Sequence, residues 1–437
     1  YKQEESPKYH AREVAIARAY SQNAAVVLGS ATPSLESMYR AQANEKAHDD
    51  TNLAEAIGTQ PYKLLLMASR VQSRPLPQVH IIDMREQLKE GNRSMFSRPL
   101  YKAIEERLHK KEQTVLLLNR RGYSTFVMCR TCGYVASCPH CDISLTYHQN
   151  AHSVRCHYCG YAEREPNVCP SCESEHIRHF GTGTQRVEEE LGKLFPGIRV
   201  IRMDMDTTSE KGSHEKWLTM FRNRQADVLL GTQMVAKGLD FPHVTLVGAL
   251  AADSVLNLPD FRAAERTFQL LTQVAGRAGR HELPGEVFVQ TYTPEHYSIQ
   301  CASRHDFASF MNEELEMRRS GGYPPYSRLI LITLSHEQVQ FLIRSAEALA
   351  NRLRELAESA YPVHSGKERD QSMSILGPVA SPMARLKDRY RFQCMVKYRG
   401  DRQAALRVVQ QSVSSLDEAA AKHKLQISVD VDPQLLM

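Results

Sequence analysis

The 437-residue sequence has no apolar run of ~18 residues and no signal-peptide pattern after Tyr1. Those two absences argue against a helical membrane span and a secreted product, and make a soluble, cytoplasmic protein without a membrane partner the expectation. The excess of basic over acidic residues is also small. A net charge of +5 permits a nucleic-acid partner without requiring one, so local basic clusters carry more information than the total. No G-x-x-x-x-G-K-[ST] string occurs, and so no phosphate-cradling loop of that type is encoded. Outside one segment, cysteine is limited to Cys301 and Cys394, which lack partners by spacing and read as core residues. The length allows about three domains, each able to bury its own core without disulfides.

The remaining eight of the ten cysteines form four C-x-x-C pairs: Cys129/Cys132, Cys138/Cys141, Cys156/Cys159 and Cys169/Cys172. A two-residue gap lets the chain turn back so that both thiolates face one tetrahedral ion, and two such pairs complete a four-thiolate zinc site. Two zinc ions are the expected complement. Fourteen residues lie between Cys141 and Cys156, near the spacing of a zinc ribbon. That spacing pairs Cys138/Cys141 with Cys156/Cys159 around a second zinc, nested inside a first zinc held by Cys129/Cys132 and Cys169/Cys172. The alternative joins neighbouring pairs in order, although only five residues between Cys132 and Cys138 leave little chain for it. Disulfides and an iron–sulfur cluster are the rival chemistries; nothing else looks secreted, and four evenly used pairs match two zinc sites better than one cluster. His140, His148, His152 and His157 are substitute ligands or residues facing solvent or nucleic acid.

On either side of the cysteines, strand and helix patterns alternate. A helical pattern on Ala11, Val14, Ala15 and Ala19 leads to a strand-like run, Ala24 to Leu28, and then to Gly29-Ser30-Ala31-Thr32-Pro33-Ser34. A strand that ends in small hydroxyl residues before a helix restarts is how α/β nucleotide motors place hydroxyls beside phosphates; the ordinary alternative is a capped turn. A polar, irregular stretch from Ala41 to about Asn92 reads as a domain boundary containing a strand at Val79 to Asp83. A helix (Arg98 to Lys110) and a buried strand (Thr114 to Leu118) precede the cysteines. After them come Gly181-Thr182-Gly183-Thr184-Gln185, a helix (Arg186 to Leu194), and strands at Ile198 to Met203, Asp227 to Leu230 and Val244 to Leu250. Such alternation predicts a parallel sheet covered on both faces, with functional loops at the carboxyl ends of its strands and the cysteine segment as an insertion.

Gly231-Thr232-Gln233 and the downstream Gly238-Leu239-Asp240 lie at one such end. Gln273-Val274-Ala275-Gly276-Arg277-Ala278-Gly279-Arg280 follows a helix built on Phe261, Ala264, Phe268 and Leu271. In the doubled G-R-x-G-R, glycine lets the backbone approach closely and the guanidinium of Arg277 or Arg280 can fork onto phosphate oxygens. Thr232 and Gln233 suit a DNA phosphate or a relay of nucleotide state, and Asp240 suits a ribose, a contact to Arg277 or a structural ion pair. Beyond Thr291 the pattern reads strand (Leu329 to Ser335), helix (Val339 to Glu358), strand (Ile375 to Ala380), strand (Arg391 to Tyr398), helix (Arg402 to Ala421) and strand (Leu425 to Val431). This β-α-β-β-α-β order predicts an α+β, split ferredoxin-like domain with helices on one face of an antiparallel sheet. Arg385, Lys387, Arg389, Arg391, Lys397 and Arg399, interleaved with Tyr390, Phe392 and Tyr398, suit phosphate contact and base stacking on single-stranded or forked DNA; a solvated hairpin is the alternative.

Gly29 to Ser34, Asn119-Arg120-Arg121-Gly122, the four cysteine pairs, Gly231 to Pro242 and Gln273 to Arg280, in that order, resemble the superfamily 2 replication-restart helicases called primosomal protein N-prime, or PriA. Tyr9-His10-Ala11-Arg12 and Asp430-Val431-Asp432-Pro433 extend the likeness over nearly the whole chain, and the zinc insertion inside a RecA-like helicase lobe is its specific part. The resemblance implies an ATP-dependent 3′-to-5′ DNA helicase, using Mg2+, that recognises stalled or forked DNA and initiates primosome assembly for replication restart. It implies single-stranded and forked DNA, single-strand-binding protein and primosome helicase-loading proteins as partners. By the same resemblance Arg277 and Arg280 stabilise γ-phosphate transfer, Gly238, Asp240 and Gln273 approach the nucleotide, and Ser30, Thr32, Thr232 and Gln233 couple lobes or touch DNA. The family's phosphate loop and D-E-x-H motif are missing from these residues. The expectation is therefore its carboxyl-terminal part: residues 1–78 a remnant of the first RecA-like lobe, 79–128 and 173–300 the second, 129–172 the zinc insertion and 301–437 the DNA-binding domain. A non-catalytic zinc- and DNA-binding fragment is the alternative.

Overall fold

The computed structural model describes residues 2–3, 8–47, 62–67, 76–118, 126–181, 183–204, 213–232, 241–278, 284–361 and 372–436. Strand β1 (Gln78–Asp83) and β2 (Gln113–Leu117) enter a sheet that the chain then leaves. The excursion contains β3 (Phe126–Cys129), β4 (Thr146–His148), β5 (Ser153–Arg155), β6 (Ala162–Arg164) and β7 (Ile177–Phe180). β3 and β7 pair antiparallel as a stalk, and β4, β5 and β6 form a separate small antiparallel sheet. The chain returns through helix Thr184–Leu194 to β8 (Val200–Met203), β9 (Val228–Gly231), β10 (Val244–Ala249) and β11 (Glu286–Thr291). The result is a six-stranded sheet in the order β1-β11-β10-β2-β9-β8, parallel at each junction.

All residues of β2, β9 and β10 are buried because helices cover both faces, so these strands read as nearly continuous apolar runs. The strand period of two divides β2 between two cores. Leu116 and Leu118 pack with Leu100 and Ile104 of helix Arg98–Lys110, while Val115 and Leu117 share the opposite core with Phe268, Leu271 and Val274 of helix Ala263–Ala275. Helix Arg98–Lys110 begins where the Ser97 side chain accepts the Leu100 N–H and Pro99 occupies its first turn.

The last part of the chain adds β12 (Arg328–His336), β13 (Ser372–Leu386), β14 (Arg389–Arg399) and β15 (Gln426–Val431), antiparallel in the order β13-β14-β12-β15. With helices Val339–Ala360 and Arg402–Ser414, this is the expected split arrangement, in which the first and third strands are central. Ile330, Ile332, Cys394 and Val396 face the helices. The alternate residues Leu329, Leu331 and Met395 instead share a core with Cys138, Cys141, Cys156 and Tyr158. The inserted module therefore covers the second face of the sheet.

Several expectations require correction. Ala24 to Leu28 is not a strand: it pairs with no strand among the described residues, and Val27 is 89% exposed. The expected helix Arg402 to Ala421 is two, Arg402–Ser414 and Asp417–His423, because the chain turns at Ser415 and Leu416 to bury Leu416 in the sheet–helix core. β13 runs well past Ile375 to Ala380, with its register shifted between Leu376 and Val379, where Pro378 has no N–H to give to the ladder. Helix Leu35–Ala47 continues into the stretch read as irregular.

Helices Leu35–Ala47, Ala263–Ala275 and Phe307–Gly321 meet at Arg318, which is 2% exposed by side chain. Its guanidinium donates to Glu314 at 2.8 Å, Glu265 at 2.6 Å and the Pro324 carbonyl at 3.3 Å, and lies 3.7 Å from Glu36. Arg262 binds Glu36 at 3.0 Å and donates to the Pro433 carbonyl at 3.2 Å; Glu265 also accepts the Leu35 N–H at 3.1 Å. Removing one member of such a buried group strands the others, so Arg318→Ala is expected to cost about 3–5 kcal/mol, read from chemical denaturation against Arg318→Lys as the charge-retaining control.

Burial alone would raise Glu36, but Arg262 and Arg318 overcome it and hold the carboxyl at about 2. Its folded value lies below the ordinary carboxylate range, so its contribution is complete above about pH 4.5 and is lost as the pH falls toward 2. Glu36→Gln should remove that segment of the acid-unfolding curve in a pH-dependent denaturation series.

Candidate metal centres and the loops of the parallel sheet

Each C-x-x-C closes the same turn. The fourth residue after the first cysteine is left-handed: Gly133 at φ 82°, Asp142 at 52°, Gly160 at 86° and Glu173 at 57°. Its N–H returns to the carbonyl of that cysteine: Gly133 to Cys129 at 2.9 Å, Asp142 to Cys138 at 3.1 Å, Gly160 to Cys156 at 3.1 Å and Glu173 to Cys169 at 2.9 Å. The cysteine N–H in turn reaches the carbonyl five residues on, as in Cys129 to Tyr134 and Cys156 to Tyr161, both at 2.8 Å. Four such turns aim eight thiols inward.

The Sγ atoms of Cys129, Cys132, Cys169 and Cys172 lie within 4.8 Å of one another, as do those of Cys138, Cys141, Cys156 and Cys159. Among these, Cys129 and Cys172 are 3.7 Å apart, and Cys132–Cys169 and Cys138–Cys159 are each 3.6 Å apart. A tetrahedron with Zn–S bonds of about 2.3 Å has edges of about 3.8 Å, so the donor set fits two zinc ions. The Tyr158 and Tyr161 N–H groups point at the sulfurs of Cys156 and Cys159, each at 3.4 Å. Such bonds stabilise the thiolate form that binds metal.

The nearby histidines have other partners. His157 is 4% exposed; its Nδ1–H donates to the Ala380 carbonyl at 2.9 Å, and its Nε2 lies 3.2 Å from His148 Nε2. Burial pushes His157 down to about 4, consistent with a neutral ring. His140 packs edge-on against Tyr161, and exposed His152 lies 3.7 Å from Glu165.

The two centres face different neighbours. At Gly133, a Cβ would come within 2.4 Å of the Tyr292 carbonyl just after β11, and Arg85 beside β1 donates to the Cys132 carbonyl at 3.4 Å. The other cluster lies against the C-terminal sheet. There a Cβ on Gly160 would meet Val379 at 3.0 Å, and Tyr323 Oη donates to the Cys141 carbonyl at 2.7 Å.

Of the loop residues singled out in the sequence, Thr232 follows β9, and Gln273 is half-buried in the last turn of helix Ala263–Ala275. The Arg277 N–H donates to the Val274 carbonyl in the turn after that helix. Gln233, Gly238, Asp240 and Arg280, with Asn119 to Gly122, lie outside the described residues. Ser30 is exposed and its Oγ accepts the Thr32 N–H at 3.1 Å, whereas Thr32 is buried.

On the C-terminal hairpin, Arg385 and Lys387 are exposed; Arg385 pairs with Asp388 at 3.0 Å and covers the Tyr390 ring. Arg389 instead donates to the carbonyls of Ser335 at 2.8 Å and Lys424 at 2.7 Å, and Lys397 to that of Gly321 at 2.5 Å. The interleaved rings do not form the expected stacking surface. Tyr390, Phe392 and Tyr398 occupy the alternate positions of β14 and pack on the helical side.

Sequence reasoning missed a cavity of about 640 Å3 whose lining includes Lys8, Arg12, Arg40, Arg328 and Arg402. It brings the chain's two ends together: Lys2 donates to the Val431 carbonyl at 2.9 Å and pairs with Asp430 at 2.7 Å. The signal available was the concentration of basic residues at Lys8, His10 and Arg12, of which Lys8 lies 3.6 Å from Asp430 near the other end of the chain.

Comparison with known proteins identifies three matching segments. Residues 319–434 match the primosomal protein N C-terminal domain, 138–164 the PriA DNA helicase Cys-rich region domain, and 172–282 the helicase conserved C-terminal domain. The chain is 54% identical over 437 residues to the replication restart protein PriA of Bacillus subtilis, covering 100% of this chain and 51% of that protein. The PriA of Synechocystis is 46% identical over 400 residues, covering 90% of this chain and 45% of its own length. That of Chlamydia pneumoniae is 39% identical over 439 residues, with 99% and 54% covered. The chain thus spans about half the length of the curated relatives it matches.

Replacing Cys129 and Cys172 with serine should remove one equivalent of zinc and leave the other, as should replacing Cys138 and Cys156, with metal content read by elemental analysis of the purified chain. A pair of substitutions that disturbs both equivalents would point to a different division of the cysteines.

Proposed function

Since the chain belongs to the PriA family of replication restart proteins, we propose that it acts in a 3′-to-5′ DNA helicase that recognises stalled or forked DNA and initiates primosome assembly. The observation that carries this reading is the joining of two four-cysteine centres to one parallel-sheet lobe with a split ferredoxin-like sheet docked beside them. The family likeness over all three segments supports it.

In this reading each cluster holds one zinc ion. Four thiolates leave no open coordination position, so the metal supplies folding energy and shape, not Lewis-acid chemistry. Arg277 and Arg280 serve γ-phosphate transfer in the complete protein, where ATP and Mg2+ meet Gly238, Asp240 and Gln273 beside the family's phosphate loop. Ser30, Thr32, Thr232 and Gln233 relay the nucleotide state between lobes or contact DNA. Exposed Arg385 and Lys387 contact phosphates, with Arg389 holding the base of their hairpin. The basic cavity between the chain's ends suits an anionic partner. Single-strand-binding protein and primosome helicase-loading proteins complete the proposed set of partners.

A second reading, zinc and DNA binding by this chain without turnover, is favoured by a specific observation: neither the phosphate-loop string nor D-E-x-H occurs in these 437 residues. ATP hydrolysis by the zinc-loaded chain, with and without forked DNA, separates the two. Retained fork binding without stimulated turnover is the expected result, and turnover abolished by Arg277→Ala would reject the second reading. In the same binding assay, replacing Arg385 and Lys387 together with alanine should weaken affinity and lower the slope of log K against log[salt] by about 2.

A further inference from the structure

The C-terminal sheet packs against the inserted module through a shared core. We infer that the Cys138/Cys141/Cys156/Cys159 centre governs how this sheet seats on the inserted module, and that the Cys129/Cys132/Cys169/Cys172 centre does not. This deepens the proposal of one zinc ion per cluster and rests on it.

The geometry separates the two centres clearly. Polar links from the sheet side reach the backbone of the ligand turns themselves: Tyr323 Oη to the Cys141 carbonyl at 2.7 Å, and Gln393 Nε2 to the His157 carbonyl at 2.9 Å. His157, between two ligand cysteines, answers with its donation to the Ala380 carbonyl at 2.9 Å. These groups meet their partners only while the C-x-x-C turns keep the shape that metal ligation imposes. Gly160 leaves no slack, since even a Cβ there would touch Val379 at 3.0 Å.

Charge reinforces the arrangement. A zinc ion with four thiolates carries a net charge of about −2. Lys397 lies on the sheet side with its ammonium 4.2 Å from the centre of the Tyr323 ring, and Tyr323 is the residue bonded to the Cys141 carbonyl. The other centre's contacts at Gly133 and Cys132 run to Tyr292 and Arg85 of the parallel-sheet lobe, and Cys129 and Cys169 connect with Leu329 and Met395 through the shared apolar core.

The C-terminal sheet also has an independent core on its helical face, built on Ile330, Ile332, Leu349 and Val396. Loss of the module-facing contacts therefore loosens this face of the sheet without unfolding it, while Arg318 and Arg262 still hold the Pro324 and Pro433 carbonyls. Leu436 would be released with it, because its buried side chain shares the module core with Leu329 and Met395.

Two experiments on the full chain test the inference. In the first, hydrogen exchange is followed by mass spectrometry in C138S/C156S and in C129S/C172S. The former should exchange roughly tenfold faster over residues 321–327 and 433–436 while helix Val339–Ala360 stays protected, and the latter should leave those segments unchanged. In the second, zinc release to a chromogenic chelator is timed in Y323F/Q393L, which keeps all eight ligands. Because the ligand turns lose the hydrogen bonds that hold them against the sheet and open more often, one of two zinc equivalents should leave about tenfold faster and the other at its original rate. This arm decides the matter if the serine variants do not fold. A wild-type chain holding fewer than two equivalents would overturn the zinc assignment and the inference together. Two equivalents, with release unchanged in Y323F/Q393L or with C138S/C156S still fully protected, would overturn the inference alone.

Discussion

The buried guanidinium of Arg318 is the constraint on which the assembly of the chain depends. A charge that is 2% exposed is tolerated only where carboxylates surround it, and those carboxylates come from separate parts of the sequence: Glu36, Glu265 and Glu314. The desolvation cost of Arg318 is offset only when helix Leu35–Ala47, helix Ala263–Ala275 and helix Phe307–Gly321 arrive together. Phe261 extends the junction. Arg262 and Arg318 both lie over its ring, at 4.2 and 5.2 Å, and its opposite neighbour is Tyr323, stacked at 4.7 Å. Through Tyr323 the ion network runs into the cysteine module.

That module is held differently from the lobe it interrupts. The parallel sheet is stabilised by apolar residues on both faces, with burial contributing about 25 cal/mol per Å2. The module has short strands and a small apolar core that includes Ile143, Leu145 and Val154, and its shape rests also on eight cysteines and four left-handed turns. Metal binding in such a segment is folding free energy. The module is also a spacer: one end meets the parallel sheet at Gly133 and the other meets the antiparallel sheet at Gly160, so its internal geometry sets how those two sheets stand to each other.

The parts legible in the sequence are those whose cause is local. The C-x-x-C turns need only neighbouring residues; chain length favoured the nested pairing over the consecutive one, and the positions of the sulfurs selected it. The strands of the parallel sheet announced themselves as buried runs, and the β-α-β-β-α-β order followed from periodicity. Ala24 to Leu28 had the same apolar look, yet no strand pairs with it among the described residues, and pairing is what makes an apolar run a strand. The rings of β14 misled for a related reason. Alternation shows that Tyr390, Phe392 and Tyr398 share a face, but not whether that face meets solvent or helices.

The sequence by itself determined the thiol chemistry, the alternation that builds a parallel sheet and the order of elements in the C-terminal domain, because each is written in spacings of a few residues. Tertiary structure alone decided that Arg318 is a buried hub, that Arg389 and Lys397 spend their charges on backbone carbonyls, and that the two cysteine centres face different sheets. Those outcomes depend on contacts between residues as far apart as Glu36 and Arg262, or Lys2 and Val431. The energy of a charge or hydroxyl is set by what surrounds it in space, and a linear pattern does not specify that surrounding.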